Sequence, residues 1–220
     1  MLDFATARRM MVDGQVRTAD VTDPRILDAM LALPRERFMP GDKAQLAYLD
    51  IDLPVGEGGA RAPRRMLKPM VLAKLLQAAE IAETDRVLHV GCGSGYAAAL
   101  LAKLAGAVVA LEQDNGLLQQ AQAALSGNPN VKVVAGALTG GSVANGPYDV
   151  IVVEGAIDTA PTALAGQLKE GGRLVCVLGA GAGGKAMLYR LIGGELSGRP
   201  IFDAAAPLLP GFEKPPAFVF

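Results

Sequence analysis

Residues 86–114, RVLHVGCGSGYAAALLAKLAGAVVALEQD, constrain the fold more than any other part of the chain. Val87, Leu88 and Val90 form an apolar run of strand length that breaks at Gly91-Cys92-Gly93-Ser94-Gly95. An Ala/Leu-rich helical pattern follows as far as Gly106, and a second apolar run, Ala107 to Leu111, closes on Glu112. This is the pattern of a βαβ unit with its glycines at the first strand-to-helix turn, where a ligand can meet bare backbone and a helix N-terminus. Glu112, about twenty positions past the turn, sits where a carboxylate can accept from two ribose hydroxyls.

The glycine spacing separates two kinds of cofactor. A dinucleotide fingerprint needs G-x-G-x-x-G, and the sixth position here is Tyr96, whose ring would crowd a pyrophosphate. Gly91, Gly93 and Gly95 give G-x-G-x-G instead, which resembles the first motif of the class I S-adenosylmethionine (SAM) methyltransferases. A glycine turn by itself also suits a tight connection with no ligand. Glu112 at its distance favours the cofactor.

Composition bounds the rest. A chain of 220 residues suits one domain that buries roughly 70–75% of its unfolded surface without a metal or disulfide. Its 21 Lys and Arg against 22 Asp and Glu leave a net charge of −1, so no global field favours nucleic acid or membrane. Cys92 and Cys176 read as reduced residues of a cytoplasmic core. The opening MLDFATARRM has no apolar core of a signal peptide, and Lys103 with several glycines interrupts the longest apolar stretch. The expectation is a soluble, cytoplasmic protein with no metal site.

Along the chain, the pattern predicts a helix around Phe4–Val16 and a second one started by Thr22-Asp23-Pro24 and stopped by Pro34. Arg35 to Pro40 reads as a charged loop with one apolar anchor, and Ala47 to Gly56 as an extended segment. Residues 56–69, GEGGARAPRRMLKP, carry Arg61, Arg64, Arg65 and Lys68; they suit either a solvated surface loop or a lid facing the substrate. Helices at Met70–Ala79, Leu117–Leu125 and Pro161–Leu168 alternate with strands at Val131–Val134, Asp149–Val153 and Arg173–Leu178. That alternation predicts a mostly parallel sheet with helices on both faces. Met187 onward suits antiparallel edge strands, with Phe218 to Phe220 anchoring the end.

Several stretches together resemble the protein-L-isoaspartate O-methyltransferase family. They are Val21-Thr22-Asp23 with Ala29-Met30, Pro34 to Phe38, Leu53-Pro54-Val55-Gly56, Arg86-Val87-Leu88 with Gly91 to Tyr96, Tyr148 to Ile151, and Gln167 to Val175. The resemblance implies an α/β, Rossmann-like class I methyltransferase fold with an N-terminal helical extension. It implies a single domain over 1–220, with a helical cap at 1–56, an active-site or lid loop at 57–69, and a SAM-binding core at 70–220. It also implies methyl esterification of damaged aspartyl carboxylates in proteins. The cofactor-binding residues it marks out are His89, Gly91, Cys92, Gly93, Ser94, Gly95, Tyr96, Glu112, Ala137 and Leu138.

Three departures from the family pattern matter. Family members place a Ser ahead of the helix that follows the loop; here the matching position is Leu67 or Ala62, and no Ser or Thr stands between Leu53 and Glu83. An acid two positions before the first motif glycine becomes His89, which reads first as a core residue and second as a general base. The acid that would take the adenine amino group becomes Ala137. Returning Asp to position 89 or 137 is therefore expected to tighten SAM binding. The catalytic residues stay open, with Arg64, Arg65 and Lys68 as candidates to orient an anionic acceptor, protein or small molecule. The alternative is a methyltransferase-fold protein with impaired catalysis, serving as a SAM-binding or scaffold module.

Overall fold

The structure, a computed structural model, describes residues 3–56 and 64–214. The expectations for Arg61, Ala62 and Phe218 to Phe220 lie outside the described residues. Seven strands make the main sheet: β3 (Arg86–Val90), β4 (Ala107–Glu112), β5 (Val131–Ala135), β6 (Tyr148–Ile157), β7 (Leu168–Leu178), β8 (Lys185–Ile192) and β9 (Glu195–Asp203). Their order is β5-β4-β3-β6-β7-β8-β9, parallel through β7 and antiparallel for the last two pairs. The antiparallel edge expected from the sequence is present. A separate two-residue pair, β1 (Leu53–Pro54) and β2 (Arg65–Met66), closes the base of the loop between them.

The N-terminal helices form where their caps lie. Asp3 accepts from Ala5 N at 3.0 Å and starts α1 (Phe4–Met11), whose expected extension to Val16 is a π-helical turn rather than α-helix. Asp23 accepts from Arg25 N at 2.9 Å and starts α2 (Pro24–Ala32), with Pro24 in the first turn, where its missing N–H costs nothing. The segment after Pro34 is more than a charged loop with one apolar anchor. It is a 3₁₀ turn, Arg35–Phe38, in which Arg35 is wholly buried and Phe38 and Met39 join the core. Of the expected extended segment 47–56, only Leu53 and Pro54 are strand.

Helices α3 (Pro69–Ala78), α4 (Tyr96–Leu104) and α5 (Asn115–Leu125) pack with the N-terminal helices on one side of the sheet. Val87, Val108, Ala110, Val150, Val152 and Val175 supply that side, because alternate strand residues share a face. The opposite side, lined by Leu88, Val90, Leu111, Ile151 and Leu174, receives only the four-residue α6 (Thr162–Ala165), 3₁₀ turns and the segment holding Leu209 and Phe212. Helices lie on both faces, as expected, but the cover is unequal. Gly166 ends α6 early, and β7 begins at Leu168 within the stretch expected to be helical.

Strand order reverses between β3 and β6, since β4 and β5 extend to one side of β3 and β7 to the other. In open α/β sheets the crevice at such a point, beyond the strand carboxyl ends, is where ligands bind. Gly91 to Gly95 occupies that position. No helix among the described residues is long and apolar enough to cross a membrane.

Candidate functional site

The turn after β3 needs its glycines. Gly91, Gly93 and Gly95 have φ of +80°, +55° and +100°, a region that side-chain-bearing residues rarely enter. At Gly91 the space matters too, because a Cβ there would lie 2.9 Å from Arg64 Nη2 and 3.3 Å from Leu209 Cδ2. The turn holds itself together through Gly91 N and Cys92 N, both donating to Leu111 O, and Gly95 N donating to Cys92 O. Gly95 then caps α4 with no side-chain partner for that helix's first N–H groups.

Glu112 stands at the end of β4 with its side chain wholly buried against this turn. Its Oε2 accepts from Gly93 N at 2.8 Å, and its Oε1 accepts from Gln113 N at 2.9 Å and Asp114 N at 3.1 Å. The carboxylate is thus fixed in position by backbone donors. Arg64 Nη1 adds a fourth contact at 3.3 Å, while Arg64 Nη2 donates to Gly91 O at 3.0 Å. Arg64 was expected to face an anionic acceptor; the structure places its guanidinium across the cofactor turn instead, held by a carboxylate and a carbonyl.

The other candidate cations differ. Arg65 is exposed and donates to Asp52 O at 2.9 Å, and it lines a narrow crevice with Val55, Cys92, Gly93, Ser94 and Glu154. The backbone N of Lys68 donates to Asp52 Oδ1 at 2.9 Å, so Lys68 ties the base of the loop to α3. Leu67 is wholly buried, and its carbonyl accepts from Arg35 Nη2 at 2.7 Å. A side chain at that position points into the core rather than toward an acceptor.

Tyr96 does not crowd the turn. Its ring lies under the Arg35 guanidinium, 4.8 Å from Cζ to centroid, and meets Phe38 edge-on at 5.5 Å. Burial lowers the pKa of Arg35 and raises that of Tyr96. Cys92 and Ser94 line the crevice behind the turn, and burial, then Glu112 and Glu154, push the Cys92 thiol up. Past β5, Ala137 is exposed, while Leu138 packs into the core and its N–H reaches Gln113 Oε1 at 3.5 Å. That weakly held N–H is available to a ring nitrogen.

Glu154 was missed in the sequence. It lies in β6, three residues before that strand ends, and its side chain is buried 3.0 Å from His89 Nε2. The approach lacks hydrogen-bond alignment, and neither ring nitrogen of His89 has a hydrogen-bond partner. The signal was present: an acid closing an apolar run, Asp149-Val150-Ile151-Val152-Val153, one strand over from the glycine turn. Also unforeseen is the segment Pro207–Phe212, which brackets Ala156 through Ala156 N to Pro207 O and Leu209 N to Ala156 O and lays Leu209 beside Gly91.

Comparison with known proteins agrees with this geometry. The sequence profile of the protein-L-isoaspartate(D-aspartate) O-methyltransferase family matches residues 7–197. Protein-L-isoaspartate O-methyltransferase 1 of Rhodopseudomonas palustris is 41% identical over 179 residues, covering 80% of this chain and 71% of that protein. The Koribacter versatilis protein-L-isoaspartate O-methyltransferase is 39% identical, over 80% of this chain and 78% of its own. A solved protein-L-isoaspartate O-methyltransferase superposes with a TM-score of 0.80 at 26% identity, over 93% of this chain and 66% of that one. A Plasmodium falciparum structure titled as a putative member, in complex with S-adenosyl-L-homocysteine, shares the fold with a TM-score of 0.72 at 18% identity, over 92% of this chain and 97% of that one. The glycine turn, the buried strand-end carboxylate and the match across most of the sequence have one source: the chain belongs to the protein-L-isoaspartate(D-aspartate) O-methyltransferase family, whose members use SAM.

Proposed function

We propose that this protein transfers the methyl group of SAM to a carboxylate on a protein or small anionic acceptor, with turnover of isoaspartyl peptides reduced. The observation that carries the cofactor half is the buried Glu112 carboxylate. Three backbone N–H groups aim it at a turn whose glycines leave no Cβ in the way. The residues fit the group: Glu112 would take the ribose hydroxyls, the Gly91 to Gly95 backbone the methionine end, and Leu138 N–H the adenine edge. When bound, SAM supplies a methyl activated on a sulfonium.

The rest follows from the chain's own groups. A carboxylate acceptor is ionised at neutral pH and needs no general base, so the protein's task is placement. Arg65, exposed and bordering the crevice beside Gly93 and Ser94, supports the acceptor half by offering a guanidinium to an anion. The hydroxyl that family members carry ahead of the next helix has no counterpart among residues 54–82 of this sequence. A lost hydrogen bond to a charged acceptor is worth roughly 1.5–3 kcal/mol, about a ten- to hundredfold slower transfer if it acts in the transition state.

The test is radiolabelled methyl transfer to an isoaspartyl peptide, an aspartyl control and a panel of small carboxylates. Isoaspartyl turnover at rates normal for the family would refute the reduced-activity half. Labelling of a carboxylate acceptor that Arg65→Ala abolishes, with SAM affinity intact, would support the acceptor half.

A further inference from the structure

Glu154 is buried, 5% exposed, with a single basic group within 4.0 Å among the described residues, the His89 ring. Around it gather polar groups with nothing to bond. Of six buried side-chain polar atoms without a partner among the described residues, five belong to Arg35, His89, Ser94 and Tyr96. Ser94, Tyr96 and Glu154 line one crevice with Cys92 and Gly93, and Arg35 stacks on Tyr96. That crevice has a volume of about 10 Å³, room for one group the size of water. An ammonium head fits such a space, and a larger group does not.

The position is set by register. His89 pairs with Val152 across β3 and β6, so Glu154, two residues further along, shares the face of His89 at the same end of the sheet. Moving a carboxylate from position 89 to position 154 shifts its backbone by about 4.8 Å across the strands and about 6.6 Å along them, about 8 Å in all. Glu, one methylene longer than Asp, can recover part of that distance. We propose that Glu154 is the carboxylate that receives the ammonium of the methionine end of SAM, in place of the acid that position 89 lacks. The inference rests on the SAM reading above. It explains why His89 is tolerated: an imidazole packs against Glu154, whereas a second carboxylate there would repel it. An arriving ammonium would give the buried carboxylate a hydrogen-bonded cation, which no side chain among the described residues provides.

Calorimetry with S-adenosylhomocysteine and with 5′-methylthioadenosine, which lacks the amino-acid end, tests this on the full chain. Glu154→Gln should weaken S-adenosylhomocysteine by about ten- to hundredfold and leave methylthioadenosine within about twofold. The double variant His89→Asp with Glu154→Ala should recover most of the lost affinity by returning the acid to position 89. Unchanged S-adenosylhomocysteine affinity in Glu154→Gln, or an equal loss for both ligands, overturns the assignment. If Glu154→Gln does not fold, the wild-type protein decides with deaminated S-adenosylhomocysteine: equal affinity overturns the assignment, and a loss of about tenfold or more supports it. Wild-type protein that binds neither nucleoside refutes the cofactor reading itself, and the assignment falls with it. Methylthioadenosine binding with no S-adenosylhomocysteine binding keeps the nucleoside site and overturns the assignment alone.

Discussion

Glu112, which ends β4, and Glu154, within β6, are two buried carboxylates on the strands that flank β3, and they are held in opposite ways. Glu112 accepts from three backbone N–H groups and from Arg64. Glu154 has only the misaligned edge of His89. A carboxylate satisfied by its own chain is a fixed part of the scaffold that a ligand can lean on. One left without donors is costly to bury, and its persistence points to a partner from outside. The difference between the two separates what holds the cleft in shape from what the cleft waits for.

Removing the satisfied member should have the largest effect. Glu112→Ala strands the N–H groups of Gly93, Gln113 and Asp114 and leaves the Arg64 guanidinium without its counter-charge. The expected loss is about 3–5 kcal/mol of folding stability, measured by urea unfolding. A loss below about 1 kcal/mol would mean that the turn re-pairs its donors easily. The contrast with Glu154 would then disappear.

Next comes His89→Asp. The family pattern alone predicts tighter SAM binding from this change. The buried Glu154 beside position 89 argues against that expectation, because the new acid would share its pocket. Two acids this close cannot both ionise without cost. The single variant should lose about 2 kcal/mol of stability and gain no affinity for S-adenosylhomocysteine. A tighter complex with unchanged stability would show that Glu154 points away from position 89 in the bound protein.

Arg64 gives a smaller effect of opposite sign. Its guanidinium lies on the Glu112 carboxylate and on Gly91 O, where ribose and methionine atoms are expected, so it must leave before they arrive. Arg64→Ala removes that competition. Affinity for S-adenosylhomocysteine should rise by about five- to thirtyfold, equivalent to about 1–2 kcal/mol for a partly buried charged pair. Weaker binding would instead show that Arg64 swings out and closes over the cofactor. It would then be a binding residue rather than a competitor.

How much of this was legible follows from the range of each interaction. Strand β3, its glycine turn, α4 and β4 were readable because local sequence determines them: an apolar run, three glycines, an Ala/Leu helix and a second run ending in an acid. Glu112 was readable from its place at the end of that second run, about twenty residues past the glycine turn. The buried place of Arg35 was not, because its partners, Ala47 O and Leu67 O, lie 12 and 32 residues away. Glu154 and His89 meet only through strand pairing across 65 residues of sequence. The thin cover on the second sheet face was hidden too, because a buried strand reads as apolar whether a helix or a loop covers it.

The smallest expected effect concerns Cys92, whose thiol is within electrostatic reach of both carboxylates. Burial, then the negative charges of Glu112 and Glu154, raise the pKa of its thiol, while Cys176 is pushed up to about 12 by burial alone. Both thiols should therefore react slowly with a neutral disulfide reagent at pH 8, because the thiolate is the nucleophile and is scarce in each. Taking away the Glu154 charge lowers the cost of forming the Cys92 thiolate and leaves Cys176, on the other sheet face, unaffected. Glu154→Gln should thus speed modification of Cys92 by about two- to fivefold relative to Cys176 in the same sample. Cys176 corrects for any general loosening of the fold, since global opening would accelerate both. A common acceleration would mean that the variant acts through stability. An unchanged ratio would mean that Glu154 carries no charge beside Cys92, and the contrast drawn between the two carboxylates would fail at its electrostatic root.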